Sequence, residues 1–274
     1  MFACKKSGYI LSATIAIVAL CACNKTHDPS PVPATSVKKW DVVLNAKFEN
    51  PAPAGRTETG TATLELFSDN KITFTIGVTG LAGGDNLTSS HIHWGDPLTN
   101  GPIVLNFNKT YTNNAITGEA TISKGLADSL VAGNSYVNVH SSNFPGGLLR
   151  GQLNNPVDFA IDVPLSGANE VPAVTTTATG LALLRLTADK NLYSRVTVTN
   201  IEANDTATVA HIHPGAAGAN GGVLQGLCAS KDDFGIIKIT LLDDAKVTAL
   251  KTAALYVNAH SKLRAAGIVR GQIR

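Results

Sequence analysis

The feature that most constrains the fold of this chain is an internal repeat with a constant offset of 120 residues. His91-Ile-His93 recurs as His211-Ile-His213, and Tyr136-Val-Asn-Val-His140 recurs as Tyr256-Val-Asn-Ala-His260. The same offset relates three further pairs of landmarks: Gly60 and Gly180, Gly95 and Gly215, and Arg150-Gly-Gln152 and Arg270-Gly-Gln272. Because no net insertion or deletion separates these landmarks, the sequence predicts two complete copies of one domain.

The two domains are predicted at residues 37–154 and 157–274. The joint between them is Asn154-Asn155-Pro156, because proline disfavours a continuing strand ladder.

Each copy is predicted to contain seven or eight strands, because short apolar runs rich in Thr and Val are separated by turn residues. The predicted strands lie near 41–48, 61–67, 71–79, 90–94, 103–108, 115–123, 135–142 and 148–154, and near 159–165, 180–187, 191–200, 208–213, 223–229, 235–241, 255–261 and 267–274. A short helix is expected before each Tyr-Val-Asn motif, at 127–132 and 243–254. Many short, regularly spaced strands indicate an all-β fold, a Greek-key sandwich or barrel in each domain.

The first residues of the chain predict export. Lys5 and Lys6 precede an apolar run at residues 10–22, which has the length of a signal peptide and is shorter than the roughly 20 residues of a membrane-spanning helix. The run ends in Leu20-Cys21-Ala22-Cys23, which resembles the lipobox of bacterial lipoproteins. That resemblance implies a signal peptide over residues 1–22 and a lipid anchor on Cys23; an ordinary secretory signal is the alternative.

Residues 23–36, rich in Pro, Ser and Thr, are predicted to form a flexible tether between the anchor and the folded part. Asn24 and Lys25 follow Cys23, and the absence of an acidic residue there favours an outer-membrane location, on the periplasmic or the surface face. Cys228 is the only cysteine beyond the anchor, so we expect a small buried core residue and no intramolecular disulfide.

The charge of the chain argues against one class of partner. The net charge is only +2, and the basic residues are scattered rather than clustered, so no nucleic-acid partner is expected. Membrane contact is expected through the lipid anchor only.

Six of the seven histidines form two matching sets. The first set is His91, His93 and His140, and the second is His211, His213 and His260. The two histidines of each His-x-His project from one face of a strand, since residues i and i+2 share a face. If the strand of the third histidine is a neighbour, three imidazoles converge, which is a common way to bind zinc or copper. The alternative is a structural set of histidines, hydrogen-bonded to backbone carbonyls or to tyrosine.

Glycines mark the loop that follows each His-x-His motif. We call residues 95–101 and 215–221 the glycine loops; they either cover one side of a site or simply turn the chain. They lack the strand and helix context of a dinucleotide-binding fold, so phosphate binding is not expected.

The arginine and glutamine of the last strand share a face in each copy: Arg150 and Gln152, and Arg270 and Gln272. Each arginine is expected to pair with a carboxylate or with backbone carbonyls near the domain end, and guiding a substrate is the alternative.

Two kinds of catalysis find no support in the sequence. Ser141 and Ser261 each follow a histidine directly, and adjacent strand residues point to opposite faces, which disfavours a nucleophile–base pair. The most obvious acids do not recur at the offset, since Glu119 falls on Ile239 and Glu170 falls on Asn50. Glycosidase chemistry, which needs a pair of carboxylates, is therefore not indicated.

Taken together, the motifs resemble those of the CHRD domain, named after chordin. The resemblance lies in His91-Ile-His-Trp-Gly95, Gly101-Pro-Ile-Val104, Tyr136-Val-Asn-Val-His140 and Gly147-x-x-Arg-Gly-Gln152. The second copy repeats them and adds Asn169-Glu-Val-Pro172, an early motif of the family, where the first copy has Glu49-Asn-Pro-Ala52.

The resemblance implies an immunoglobulin-like β-barrel with limited similarity to copper–zinc superoxide dismutase. His91, His93 and His140 would correspond to part of that enzyme's copper site. No histidine lies between His93 and His140, so the enzyme's zinc ligands have no counterpart here and a dismutase is not expected. In animals the domain occurs in chordin, an extracellular antagonist of bone morphogenetic proteins.

Two functions follow as hypotheses. The first is a lipid-anchored binding or structural protein of the cell envelope, without clear catalytic activity, that recognises a protein or glycan partner. The alternative is a metalloprotein that binds copper or zinc through one histidine trio per domain.

Overall fold

A computed structural model describes residues 1–3 and 32–274 of the chain. Within this part, Ala34–Arg274 form one compact unit. The predicted signal peptide from residue 4 onward, the lipidation site Cys23 and most of the tether lie outside the described residues. In the described part, every helix is too short or too polar to cross a bilayer.

Sixteen strands and two α-helices form the described fold. The first domain contains β1 (Ser36–Asn45), β2 (Thr59–Phe67), β3 (Lys71–Thr79), β4 (Leu87–Trp94), β5 (Ile103–Asn106), β6 (Ala115–Thr121), α1 (Lys124–Ala132), β7 (Ser135–Ser141) and β8 (Leu149–Gln152). The second contains β9 (Val157–Ser166), β10 (Thr179–Thr187), β11 (Asn191–Thr199), β12 (Ala207–Pro214), β13 (Gln225–Cys228), β14 (Lys238–Leu241), α2 (Asp244–Thr252), β15 (Leu255–Ser261) and β16 (Val269–Gln272).

Both domains have the same topology. The strand order is β5-β4-β7-β8-β1-β2-β3-β6 in the first and β13-β12-β15-β16-β9-β10-β11-β14 in the second. The two four-stranded halves of the first sheet meet at one register pair, Asn45 and Arg150, and those of the second meet at Ser166 and Arg270. The prediction of two all-β domains is therefore confirmed.

The core of each domain lies between these two halves. Along β2 and β3 buried residues alternate with more exposed ones, as a strand with one face on a core requires. Leu64, Ile72 and Ile76 of the first domain are fully buried. Each such side chain contributes roughly 1.5–3 kcal/mol through removal of its surface from water.

The helices occur where the sequence predicted them. Ser123 caps α1 by accepting a hydrogen bond from the Leu126 N–H, and Asp243 caps α2 by accepting from the Lys246 N–H. Leu130 and Leu250 face the cores, which fixes each helix beside the strand that follows it.

The first strand ends earlier than predicted, and the residues after it form a turn. β1 stops at Asn45, whose side chain accepts from the Lys47 N–H and begins a 3-10 turn over Ala46–Phe48. The second domain has the corresponding turn at Gly167–Asn169. Each turn is followed by a buried glutamate, Glu49 in the first domain and Glu170 in the second.

Candidate metal centres

The structure brings the three histidines of each set together. β4 pairs with β7, and β12 pairs with β15, so the strand of the third histidine is the neighbour of the His-x-His strand. One ring nitrogen from each of His91, His93 and His140 lies within 4.8 Å of the other two. The same holds for His211, His213 and His260. The predicted convergence of the imidazoles is thus observed in both domains.

Backbone carbonyls fix the tautomers of two histidines in the first domain. His93 Nδ1 lies 2.9 Å from Gly101 O, and His140 Nδ1 lies 2.9 Å from Pro145 O. A carbonyl oxygen only accepts, so each Nδ1 carries the hydrogen and each Nε2 has a free lone pair. His93 Nε2 is buried and has no hydrogen-bond partner within residues 32–274.

The third histidine completes the donor set. His91 Nδ1 lies 3.1 Å from His140 Nε2. Two nitrogen ligands of one tetrahedral ion, each about 2.0–2.1 Å from the metal, are roughly 3.3 Å apart. These two atoms are therefore near the separation of ligands to one ion. Because His140 Nδ1 donates to Pro145 O, His140 Nε2 accepts and His91 Nδ1–H is the donor in this contact.

The second domain repeats this arrangement. His213 Nδ1 lies 3.0 Å from both Gly221 O and Gly222 O, and His260 Nδ1 lies 2.9 Å from Ala265 O. His211 Nδ1 is 3.3 Å from His260 Nε2, and His213 Nε2 is buried without a partner in the described part of the chain.

The environment favours neutral imidazoles. Burial, followed by the neighbouring imidazoles of His140 and His93, lowers the pKa of His91 to about 4. Burial also lowers the pKa of His93, and it lowers the pKa of His140. Neutral imidazole is the form that binds metal, so few protons compete with an ion at neutral pH.

A tyrosine supports each His-x-His motif from behind. The rings of His93 and Tyr136 stack with centroids 5.0 Å apart at 10°, and Tyr136 Oη accepts from the Gly101 N–H at 3.3 Å. Tyr256 stacks on His213 in the same way and accepts from the Gly221 N–H at 3.2 Å. Tyr136 therefore holds both the ring of His93 and the residue whose carbonyl orients that ring.

The arginine of the last strand holds the glycine loop. Arg150 is 1% exposed, its guanidinium carbon lies 3.4 Å from the Tyr136 ring centroid, and it donates to the carbonyls of Asp96 and Thr99. Gln152 Nε2 donates to Gly95 O at 2.9 Å. Pairing with backbone carbonyls was one of the two expected structural roles. Complete burial removes Arg150 from contact with a substrate.

The second domain has the matching contacts: Arg270 donates to the carbonyls of Ala216 and Ala219, and Gln272 donates to that of Gly215. The glycine loops are therefore held in place by the same two side chains in both domains.

A recurring buried glutamate was missed by the sequence analysis. Glu49 accepts a short hydrogen bond from Asn138 Nδ2, and Glu170 accepts from Asn258 Nδ2 at 2.8 Å. The two glutamates are structurally equivalent but 121 positions apart, because the first domain has one more residue between its glutamate and Gly60. The comparison at a fixed offset of 120 therefore placed Glu170 on Asn50, and its conclusion that the acids do not recur was wrong.

These glutamates explain the glycine that opens the Gly-x-x-Arg-Gly-Gln motif. Gly147 has φ +141°, and a Cβ there would collide with the Glu49 carboxylate. Gly267 has φ +144°, and a Cβ there would collide with Glu170. Burial raises the pKa of Glu49, and it raises the pKa of Glu170 to about 7.

A second pair of acids recurs at the offset of 120. Asp85 accepts from Ser141 Oγ at 2.9 Å, and Asp205 accepts from Ser261 Oγ at 2.6 Å. The serine after the third histidine is thus a structural donor to an aspartate. A search of the aligned copies for shared acids would have found this pair.

The remaining cysteine lies in the core. Cys228 is buried, and burial together with the charge of Asp233 raises the pKa of its thiol to about 12. The expectation of a small buried core residue is confirmed.

The fold and the site define a class: an all-β protein of two repeated domains, each with a cluster of three histidines. The profile of the CHRD domain matches residues 40–153 and 161–273, so the chain belongs to the CHRD domain family and carries the domain in tandem. A search of curated proteins found no match, and neither did a search of solved structures. The predicted family is confirmed, whereas the similarity to copper–zinc superoxide dismutase stays a prediction.

Proposed function

We propose that each CHRD domain of this chain binds one copper or zinc ion through its three histidines, in a protein held outside the cytoplasm by a lipid anchor. The tandem CHRD architecture supports a non-catalytic binding or structural role. The observation that best supports metal binding is the buried Nε2 of His93 and of His213. Within the described residues this atom has no hydrogen-bond partner, and it lies beside two further imidazole nitrogens.

A buried polar atom without a partner is uncommon, because it loses its hydrogen bond to water without replacement. Among the described residues, Nε2 of this histidine lacks a partner in both domains. It carries no hydrogen, because Nδ1 of the same ring is the protonated nitrogen that donates to a carbonyl. A metal ion would use that lone pair together with Nε2 of His140 and Nδ1 of His91. Three imidazole nitrogens with an open fourth position suit zinc and copper.

The proposal is tested by metal content. The full chain in detergent is loaded with Cu²⁺ or Zn²⁺, desalted and measured by mass spectrometry, with about two equivalents expected. His93→Ala and His213→Ala should each remove one equivalent, and the double variant both. Thr88→Ala, an exposed change on the same strand as His93, is the matched control and should leave the content unchanged. No retained ion in the wild type would overturn the proposal.

Recognition of a protein or glycan is the second candidate. It is favoured by an open, threonine-rich sheet face on β2, β3 and β6, with a shallow groove of about 370 Å³. Thr63, Thr73, Thr75 and Thr117 line it together with Glu65 and Glu119. Binding of envelope glycans that is lost in Thr73→Arg and Thr117→Arg, with metal content unchanged, would support this role; equal binding by both variants would contradict it.

The cellular location is proposed from the first 23 residues, where Cys23 ends a lipobox-like sequence. Metabolic labelling with a radioactive fatty acid should mark the wild type and not Cys23→Ala, and the labelled protein should fractionate with the outer membrane. Labelling of neither form would favour an ordinary secretory signal.

A further inference from the structure

The second domain packs on the glycine loop of the first domain. Leu98, at the centre of that loop, is 1% exposed and lies in a small apolar cluster with Leu183 of β10 and Tyr193 of β11. Thus the outer face of the β9-β10-β11-β14 half of the second sheet covers the loop that supplies Gly101, the carbonyl partner of His93.

Hydrogen bonds reinforce this packing. Arg195 of β11 donates to Asn50 Oδ1 at 3.1 Å. Asn50 in turn donates to Leu98 O in a short bond, and its own carbonyl accepts from Asn100 Nδ2 at 2.6 Å. The second domain is therefore connected through Asn50 to two residues of the loop.

A buried arginine makes a further contact beside this one. Arg185 of β10 is fully buried, pairs with Asp162 at 2.7 Å and donates to Glu49 O at 2.6 Å. Asp162 also accepts from the Ala52 N–H at 2.9 Å. The segment that carries the buried glutamate of the first site is thus held by the second domain as well.

None of the described residues covers the second domain's own glycine loop in this way. Gly218 stands where the first domain has Leu98, and residues 216–220 are exposed. The covering face is also particular to the second domain, since Thr63 and Thr73 of the first domain correspond to Leu183 and Tyr193. The two copies have thus diverged where the domains touch, while the histidines are the same.

We infer that Leu183, Tyr193 and Arg195 are positioning residues for the first domain's metal site, and that this site releases metal more slowly than the second. The inference rests on the proposed function. Gly101 O fixes the ring of His93, so a loop held from outside keeps His93 Nε2 aimed at the ion. A direct hydrogen-bond partner of a ligand, as Gly101 O is of His93, changes metal affinity by roughly 10- to 100-fold when it is lost, and these three residues act on that partner through the loop.

Release is measured one site at a time. His213→Ala leaves the first site and His93→Ala leaves the second, each in the full chain loaded with whichever of Zn²⁺ or Cu²⁺ the wild type retains. Transfer of the ion to excess chelator should be roughly 10-fold or more slower from the first site. Leu183→Thr with Tyr193→Thr should raise the first rate to that of the second and leave the second unchanged. Tyr193→Phe, which keeps the apolar contact, should retain the slow rate.

A measurement without metal separates the two proposals. Backbone amides of residues 95–101 should exchange with deuterium more slowly than those of 215–221. The comparison omits the Leu98 N–H, because Asp96 Oδ1 accepts from it and the equivalent residue 216 is an alanine. Thr99 N–H and Ala219 N–H, which donate to the equivalent carbonyls of Asp96 and Ala216, form a matched pair. The double threonine variant should remove the difference. Equal release from both sites, or a first-site rate that the double variant leaves unchanged, overturns the inference. No bound metal overturns the proposed function and the release difference together, and amide exchange then decides whether the second domain positions the loop.

Discussion

Asn258 Nδ2 lies 2.8 Å from both carboxylate oxygens of Glu170, and no described residue donates a hydrogen bond to the buried Asn258 Oδ1. One amide group therefore meets a carboxyl that burial keeps protonated to about pH 7. The pair links the 3-10 turn of the second domain to the centre of β15, two residues from His260. It makes the stability of this domain depend on pH in a direction unusual for an acid.

The first prediction concerns Glu170→Gln. The folded-state pKa of about 7 exceeds the ordinary value of 4.5, so Glu170 stabilises the fold below about pH 4.5, and this contribution is lost as pH rises to about 7. At about 1.4 kcal/mol per pKa unit, the loss is about 3 kcal/mol. Urea unfolding at pH 5 and pH 8 should show this fall in the wild type relative to Glu170→Gln. Parallel pH profiles would contradict the prediction.

The second prediction concerns Gly147→Ala. The positive φ and the nearby Glu49 carboxylate both oppose a Cβ at this position, so we expect a loss of about 2–4 kcal/mol in unfolding free energy. Gly146→Ala is the matched control, because a Cβ there meets nothing within 4 Å. Thermal unfolding of both variants decides the point, and equal melting temperatures would refute the account of this glycine.

The third prediction compares Asp85→Asn with Asp205→Asn. Burial alone would raise the pKa of Asp85, but hydrogen bonds from Arg56, the Asn143 N–H and Ser141 hold it well below its usual range. Arg56 keeps Glu58 as a second carboxylate partner at 2.6 Å, so asparagine removes one of its two charged partners, and we expect a loss of about 2 kcal/mol in unfolding free energy. Asp205 accepts from Ser261 and the Leu263 N–H, so its loss should be about 1 kcal/mol.

Denaturant unfolding at pH 7 measures both variants. The stabilisation from Asp85 is present above the ordinary pKa of 3.8 and lost as pH falls through the lower folded-state value, so the difference between wild type and Asp85→Asn should shrink in acid. A larger loss from Asp205→Asn than from Asp85→Asn would contradict the assignment.

The fourth prediction concerns Cys228. With its thiol buried and its pKa raised to about 12, Cys228 should react with a thiol reagent only after unfolding. The labelling rate is measured for the wild type and for Cys228→Ala, in native buffer and in denaturant. The difference between the two proteins gives the labelling at Cys228. Rapid labelling of the native protein at this position would place the thiol outside the core.

The histidine clusters could be predicted because they follow from local rules. Residues i and i+2 share a face of a strand, so the side chains of His91 and His93 project from the same face of β4. Placing His140 beside them needed only that β7 neighbour β4, which the later strand motif favoured.

The buried glutamates could not be found by the same rule. A single extra residue in a loop between Glu49 and Gly60 shifts their offset to 121, and one loop residue changes nothing in the sheets. Only the hydrogen bonds to Asn138 and Asn258 show that the two acids are equivalent.

The domain contact was missed for a different reason. Comparison of the copies drew attention to what they share, whereas the contact consists of what differs. The sequence shows that Leu98 of the first copy corresponds to Gly218 of the second. The reason for this difference becomes visible only in the structure, where Leu183 and Tyr193 pack against Leu98.

That difference between the copies also bears on self-association. A head-to-tail contact between unlike surfaces can repeat without limit and build filaments. Here the outward glycine loop of the second domain offers alanine and glycine, and the matching sheet face of the first domain offers threonine and glutamate. Neither surface has the leucine, tyrosine and arginine that form the contact within the chain. The contact therefore forms once, between the two domains of one molecule. Neighbouring copies at high concentration would therefore not polymerise through this contact.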